Sequence, residues 1–204
     1  MTGRPTEISA IEDTRRSMSR SGATRVARTR QAIFDAVESM PAGEPVTVSE
    51  VVRRAGISRA AFYTHFAGLD ELAIAIMHDM LAKITTLDLQ ARRTTHAGWR
   101  ETSIATLTRN VEQMVHHRGL YLSVLGMPGS STAFEAAVRE LSAVIAGTIA
   151  EMPAVPPDVE LTDAARFIAS GTLSLIVHWL RTDPHMEVDT MVARLVVLLP
   201  DWGA

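Results

Sequence analysis

The chain of 204 residues contains no cysteine, which excludes disulfide bonds and thiolate metal ligands. It also has no uninterrupted run of about 18 apolar residues, the usual minimum for a membrane-spanning helix. Its first residues are polar and lack the apolar core of a secretory signal. From these absences we expect a cytoplasmic protein with no membrane partner.

Aromatic residues make up only 5% of the sequence and there are 9 prolines, whereas alanine, leucine and valine are frequent. We find no strand-like alternation of apolar and polar residues, no internal repeat and no glycine-rich phosphate-binding loop. Apolar residues recur instead at spacings of three and four, as they do on the buried face of a helix. The sequence therefore predicts an all-α fold.

The net charge of −3 is unevenly distributed along the chain. Residues 1–60 hold ten arginines against seven acidic residues, whereas residues 61–204 hold ten basic and sixteen acidic residues. Residues 14–30 contain six arginines and no acidic residue. Such a segment would follow phosphates and make binding strongly salt-dependent. It is equally typical of a solvated tail, and we expect residues 1–23 to be a disordered basic tail in the absence of DNA.

Residues 46–72, VTVSEVVRRAGISRAAFYTHFAGLDEL, carry the clearest pattern in the chain. Thr47 precedes Glu50 by three residues, the spacing of a capping box in which each side chain binds the other residue's backbone N–H. A short amphipathic helix follows and ends at Gly56, where a left-handed backbone would turn the chain sharply. Ser58 can cap the next helix. This order predicts a helix-turn-helix, whose second helix enters the DNA major groove.

The second helix of this motif, RAAFYTHF at residues 59–66, has two separable faces. Phe62 and Phe66 lie four residues apart and are expected to hold the helix against its neighbours. The remaining arginine, tyrosine, threonine and histidine would be unusual on a buried helix. On a DNA-facing surface, arginine can bind guanine, hydroxyls can reach phosphate, and alanine permits close approach or contacts a thymine methyl group.

The segment GISRAAFYTHF followed by DEL resembles the TetR family of transcriptional regulators. The resemblance rests on specific motifs over residues 26–75 and continues as a matching helical layout. It implies that the helix at residues 59–66 reads operator DNA and that the helix at residues 48–55 braces it. Carried over by position, the candidate contacts to bases or phosphates are Thr47, Ser49, Arg59, Ala60, Ala61, Tyr63, Thr64 and His65.

One departure from the family pattern lies at the start of the fourth helix. The family usually places a lysine where this chain has Gly68-Leu69, so a phosphate contact made by that lysine is absent here. Backbone amides at the same helix N-terminus carry partial positive charge and could partly replace it.

The apolar periodicity divides the chain into a series of helices. The first is expected at residues 24–40, with Val26, Ile33, Phe34 and Val37 buried, and a long fourth helix at residues 69–90 should connect two domains. Loops are expected at residues 92–98 and 153–160. The later helices are expected at residues 99–117, 119–125, 131–152, 161–182 and 188–199. We therefore expect a helix-turn-helix domain at residues 24–72 and a helical effector-binding and dimerisation domain at residues 73–204.

The last two predicted helices are apolar on more than one face, which indicates burial on both sides. A second copy of the chain, packed as a four-helix bundle with two-fold symmetry, would explain this pattern, and the resemblance also implies a homodimer. The alternative is that both faces belong to the core of one chain. The residues predicted for the dimer interface are Gly171, Leu175, Trp179, Val192, Leu195 and Leu199.

A polar stripe on the helix at residues 161–182 has two readings. Ser170, Ser174 and His178 follow one another at spacings of four, which suits either a solvent edge or the few orienting contacts of a small-molecule pocket. The resemblance implies such an effector pocket. The residues predicted to line it are Phe167, Ser170, Ser174 and His178 on one wall, and Met114, His117, Tyr121 and Leu125 on the other.

Enzyme chemistry lacks support in the pattern. No HExxH motif is present, the adjacent His116 and His117 point to different faces of a helix, and no serine has a nucleophile-elbow context. We expect no metal, no cofactor and no catalytic activity. The resemblance implies a regulator, typically a repressor, that binds a palindromic double-stranded operator as a homodimer and is released by a small, mostly apolar inducer. The alternatives are a helical ligand-binding or scaffold protein that has lost specific DNA binding, and a small helical enzyme.

Overall fold

The computed structural model describes residues 24–41, 44–94, 99–152, 154–182, 187–200 and 202, with only the backbone of residues 83–94, 99 and 100. The predicted tail at residues 1–23 lies outside this range. All regular structure in the described ranges is α-helical, as the sequence predicts. The helices are α1 (24–38), α2 (Val48–Ala55), α3 (Arg59–His65), α4 (Leu69–Thr94), α5 (Trp99–His116), α6 (Arg118–Leu125), α7 (Ser130–Ala150), α8 (Leu161–Thr182) and α9 (Val188–Leu198).

Most predicted boundaries agree with the structure to within two residues, and those of α8 coincide with it. The loop predicted at residues 92–98 is wrong in its first part, because α4 continues to Thr94; residues 95–98 are not described. Val26, predicted to be buried, is 47% exposed. It lies in the first turn of α1, and residues 24–28 are all exposed, so this end of the helix extends past the core.

The aromatic residues of α1 and α3 form the core of the helix-turn-helix region. Phe62 and Phe66 are buried with ring centroids 5.8 Å apart, and Phe34 of α1 lies 6.3 Å from Phe66. Leu72 and Ile76 of α4 close the same core. These contacts confirm the inward face that the four-residue spacing of the phenylalanines predicts.

Helices α4 to α9 form the remainder of the molecule. α7 packs along α8 and α4, and α5 packs against α9. The buried side chains of α8 and α9 include Leu173, Ile176, Trp179, Met191 and Leu195. One apolar cluster extends from α1 through α4 into α9, so the predicted domain boundary at residues 72–73 falls inside a continuous core. None of the described helices is long and apolar enough to cross a membrane.

Candidate nucleic-acid interface

Two side-chain caps and one backbone hydrogen bond fix the turn between α2 and α3. Thr47 Oγ1 accepts from the backbone N–H of Glu50 at 3.2 Å, and Ser58 Oγ accepts from that of Ala61 at 3.0 Å. Gly56 adopts the left-handed conformation, with φ of 65°, and its N–H donates to the carbonyl of Val52. The predicted caps and turn are therefore confirmed. These bonds set the direction of α3 relative to α2.

Only one half of the predicted capping box forms. The carboxylate of Glu50 does not return to Thr47 but accepts hydrogen bonds from Arg53 and from Arg54 Nε, the latter at 2.6 Å. These two guanidinium groups lower the pKa of Glu50 to about 2. Arg54 Nη1 also donates to the carbonyl of Ser39 at 2.8 Å, which satisfies a free carbonyl at the end of α1. Arg54 thereby ties α2 to α1.

The two faces of α3 separate as predicted. Its buried face is formed by Phe62, while Tyr63 is 54% exposed and packs its ring edge-on against Phe62 at a centroid distance of 5.4 Å. None of the residues predicted to contact DNA is buried, so solvent reaches each of them. The exposed ones are Thr47, Ser49, Arg59, Ala60, Tyr63 and Thr64, and the half-buried ones are Ala61 and His65.

Two of these side chains already have partners within the chain. Arg59 Nη2 donates to Ser49 Oγ at 3.1 Å, which holds the Arg59 side chain beside the start of α2. This bond uses one N–H group of the guanidinium and leaves the others for a further partner. Thr64 Oγ1 donates to the carbonyl of Ala60 at 2.9 Å. In this rotamer the hydroxyl hydrogen of Thr64 is engaged within α3, and the contact of Thr64 with DNA stays a prediction.

The start of α4 is less suited to phosphate than its helix dipole indicates. The backbone N–H of Ala67 donates to Glu71 Oε2 at 2.6 Å, so this amide is already occupied. Asp70 adds a second carboxylate to the first turn. Ala67 precedes the helix, so the prediction that backbone amides at the N-terminus of α4 partly replace the missing lysine stays a prediction.

Arg30 is a neighbour of α3 that the pattern of the motif does not single out. Its guanidinium carbon lies 4.8 Å from the ring centroid of Phe66 and 5.8 Å from that of Phe34. The signal in the sequence is an arginine four residues before Phe34, which places it on the same face of α1. The basic segment at residues 14–30 contains five other arginines, and the four-residue spacing from Phe34 is the sequence feature that distinguishes Arg30 from them.

The residues predicted to line an effector pocket do not form two facing walls. Met114 and Tyr121 are buried in the core, where burial raises the pKa of the tyrosine, and Leu125 is half-buried. On α8, Ser170 is half-buried, but the other three predicted members are exposed: Phe167, Ser174 and His178. The assignment was wrong for Phe167 and Ser174, because this side of α8 faces outward, whereas His178 lines an open groove between α8 and α9.

That outer side is mainly apolar and continues onto α9. We refer to the exposed residues Phe167, Gly171, Ser174, Leu175, His178, Ala193, Arg194, Val197 and Leu198 as the α8–α9 surface. Phe167 is 80% exposed and Val197 82%. A groove of about 860 Å³ runs between the two helices and is lined in part by Leu175, Met191 and Val197.

The predicted dimer residues divide between this surface and the core. Gly171 and Leu175 are exposed, and Leu199 is half-buried. Trp179, Val192 and Leu195 are buried inside the chain, so their assignment to a dimer interface was wrong. The physical reason is that α8 and α9 each have a second apolar face, which packs against α7 and α5.

The segment around α6 contacts the helix-turn-helix region at both ends. His117, predicted to bind an effector, lies with Nδ1 2.5 Å from Glu38 Oε1 at the end of α1. After α6, Gly129 has φ of 75°, and a Cβ there would lie 2.8 Å from the Cβ of Asp70 at the start of α4. In the part of the chain that the structure covers, no three His, Asp or Glu side chains are grouped so as to hold a metal ion.

The family model of bacterial regulatory proteins, tetR family, matches residues 44–76, which contain α2 and α3. A protein of Haemophilus influenzae described as an uncharacterized HTH-type transcriptional regulator is 31% identical over 120 residues. That match covers 56% of this chain and 58% of the relative, so it spans less than two thirds of the relative's length.

Solved structures share the fold over most of the chain. The structure of FadR from Thermus thermophilus, a TetR family transcriptional repressor in complex with lauroyl-CoA, has a TM-score of 0.66 at 17% identity and covers 85% of this chain and 92% of its own. NalD of Pseudomonas aeruginosa, the secondary repressor of the MexAB-OprM multidrug efflux pump, has a TM-score of 0.61 at 17% identity, with coverages of 88% and 100%. These likenesses concern the fold alone. The tetR family model thus describes the helix-turn-helix segment, and the solved structures show the fold in which that segment lies.

Proposed function

We propose that this protein is a ligand-responsive transcriptional repressor that binds a palindromic operator as a homodimer in the cytoplasm. The observation that carries the proposal is the exposed face of α3, with Arg59, Ala60 and Tyr63 presented by a helix whose other face is locked by Phe62. A helix of seven residues is about 10 Å long, which suits the width of about 12 Å of the B-DNA major groove.

Arg59 is the residue we propose for reading a base. Its hydrogen bond to Ser49 restricts the long side chain before DNA arrives, so less conformational entropy is lost on binding. The remaining N–H groups of the guanidinium can pair with the O6 and N7 atoms of guanine. Tyr63, Ser49 and Thr47 are proposed to contact the phosphates on either side.

A second copy of the chain is the occupant we propose for the α8–α9 surface. Phe167, Val197 and Leu198 are large apolar side chains that one chain leaves exposed on neighbouring helices. Gly171 has no atom within 4 Å of the position of an added Cβ, so a partner helix can approach closely there. Two-fold pairing would place two α3 helices on half-sites about 34–36 Å apart.

We propose a small, mostly apolar molecule as the effector, bound among the helices α4 to α8. The lauroyl-CoA complex of the Thermus thermophilus protein supports an apolar ligand by analogy of fold. Within the described residues, Ser123 Oγ and Trp179 Nε1 are buried polar atoms without a hydrogen-bond partner. Such atoms are rare in folded proteins and would gain from a polar group on a ligand.

Release of DNA is proposed to occur by a shift between two conformations, with α6 as the coupling element. Its two ends contact α1 through His117 and Glu38 and contact α4 through Gly129 and Asp70. An effector that favours a different position of α6 would therefore change the placement of α3. Because α4 extends into the effector-binding and dimerisation domain and packs against α6 there, α4 would move together with α6.

Selection of genomic DNA fragments by the purified chain tests the proposal. We expect the bound fragments to share a palindrome whose half-sites are separated by one helical turn, and the salt dependence of binding to be steep. Fragments without a common sequence would instead favour a helical ligand-binding or scaffold protein. The observation behind that alternative is the start of α4, which carries the acidic residues Asp70 and Glu71 in its first turn and follows the occupied Ala67 amide.

A further inference from the structure

Arg30 lies at the point where the recognition helix ends. Phe66, over whose ring the guanidinium is stacked, is the residue that directly follows α3. Both Phe66 and Phe34 are buried, so the two rings form a fixed platform for the half-buried arginine. The position of this positive charge is therefore set by the aromatic core of the helix-turn-helix, although Arg30 belongs to α1.

Arg30 differs from other arginines of the motif in its partners. Arg53 and Arg54 bind the carboxylate of Glu50, and Arg59 binds Ser49. Across the described ranges, Arg30 makes ring contacts but no hydrogen bond or ion pair. An arginine stacked on an aromatic ring keeps its N–H groups available in the plane of the guanidinium, where they can bind a phosphate.

The end of α3 is where a phosphate would lie. Because α3 is almost as long as the major groove is wide, its ends approach the walls of the groove, which are lined by phosphates. The residues that follow it, Ala67-Gly68-Leu69, are uncharged, and the amide of Ala67 is occupied by Glu71. Arg30 of α1 brings a positive charge to this end, with its guanidinium carbon 4.8 Å from the ring centroid of Phe66.

We infer that Arg30 supplies the phosphate contact at the C-terminal end of the recognition helix. The inference rests on the proposed function, because it requires α3 to enter the major groove. A phosphate contact of this kind adds affinity for DNA of every sequence and contributes to the salt dependence of binding. It would compensate for the missing lysine at Leu69 from a different helix.

The test measures affinity for operator and for random DNA over a series of salt concentrations. Arg30→Met retains an apolar stem over Phe66 without the charge, and Arg30→Lys retains the charge. We expect Arg30→Met to weaken binding to both DNAs by the same factor and to reduce the slope of log affinity against log salt by about 0.9 per protomer. Arg30→Lys should keep the wild-type slope. Adding Leu69→Lys to Arg30→Met should restore the slope.

Arg139→Met is the matched control, since it removes one exposed arginine from α7. If Arg30→Met and Arg139→Met have the same slope, or if only operator affinity falls while the slope is unchanged, the phosphate contact is overturned and Arg30 has a structural role. Thermal unfolding of each variant verifies that it is folded under the conditions of the DNA-binding measurement. A wild-type protein without salt-dependent operator binding would instead overturn the proposed function itself.

Discussion

The exposed side chains of α2 and α3 differ in kind from those of α8 and α9. Arg59, Tyr63 and Thr64 are polar or charged, whereas Phe167 and Val197 are apolar and more than three quarters exposed. The first surface suits a polyanion, which attracts cationic and hydroxyl groups. The second suits an apolar partner, because leaving a large side chain in water forgoes about 1.5–3 kcal/mol. The two ends of the chain are thus built for different kinds of association.

The strongest test of this comparison changes a phenylalanine in each region. Phe62→Ala removes a fully buried ring, and we expect the free energy of unfolding to fall by about 3–5 kcal/mol, with loss of operator binding. Phe167→Ala should leave the folding of the chain almost unchanged and weaken only dimerisation. Urea unfolding at a protein concentration where each variant is monomeric measures the stability of the fold, and analytical ultracentrifugation over a range of concentrations measures dimerisation. Equal destabilisation by the two changes would contradict the assignment of Phe167 to an intermolecular surface.

A charge on the α8–α9 surface should break the dimer without unfolding the chain. Val197→Asp places a carboxylate on an exposed position, but in the proposed dimer that carboxylate would lose its water among apolar side chains, a cost that Arg194 of the same helix offsets only in part. We expect a folded monomer by analytical ultracentrifugation. Ala143→Asp, on an exposed position of α7, is the control and should sediment like the wild type. A dimeric Val197→Asp protein would place the interface elsewhere.

On the DNA-facing side, Arg59→Ala should weaken operator binding by about 1–3 kcal/mol, more than binding to random DNA, if it pairs with a guanine edge. Ser49→Ala removes only the hydroxyl that orients Arg59, and its effect should be smaller, about 0.5–1.5 kcal/mol. Fluorescence anisotropy with both DNAs measures the difference. An equal loss of affinity for operator and random DNA would make Arg59 a phosphate contact.

The junction between the two regions is tested at Gly129. Gly129→Ala puts a side chain in the left-handed region and against Asp70, so we expect a loss of about 1–3 kcal/mol in stability and a lower operator affinity. Gly126→Ala is the control, because its added Cβ meets ordinary contact distances of 3.5 Å or more. If both variants bind operator equally well, the contact with α4 does not influence α3.

The smallest expected effect concerns Glu50. Its pKa of about 2 in the folded chain lies below the ordinary value of 4.5, so its ion pairs stabilise the fold above pH 4.5 and are lost as the pH falls through 2. A side-chain NMR titration should show Glu50 still ionised at pH 3.5. In Arg53→Ala the midpoint should rise toward 4.5. An unchanged midpoint would show that Arg53 is not the main cause.

The sequence predicts the helix-turn-helix well because its signals are local. Gly56 and Ser58 act through backbone bonds to nearby residues, and the spacing of Phe62 and Phe66 defines one buried face of a short helix. Glu50 was predicted less well, since Arg53 and Arg54 offer it charged donors that compete with a backbone N–H.

The faces of α8 could not be assigned from the sequence for a physical reason. Trp179 and Leu175 both look apolar, but one packs in the core of the chain and the other is exposed. A helix with apolar residues on both sides does not reveal which side belongs to its own chain. Ser174 and His178 then resemble pocket residues, although they follow the outer side of the helix.

The continuous apolar cluster from Ile33 to Leu195 has a consequence for cooperativity. A helix-turn-helix joined to its neighbour by a flexible linker can open by itself, but here α4 contributes buried residues to the whole cluster. The two parts should therefore unfold in a single transition. Amide hydrogens in α1 and α3 should exchange at rates governed by the global stability, so that an effector bound to the distant helices also slows their exchange.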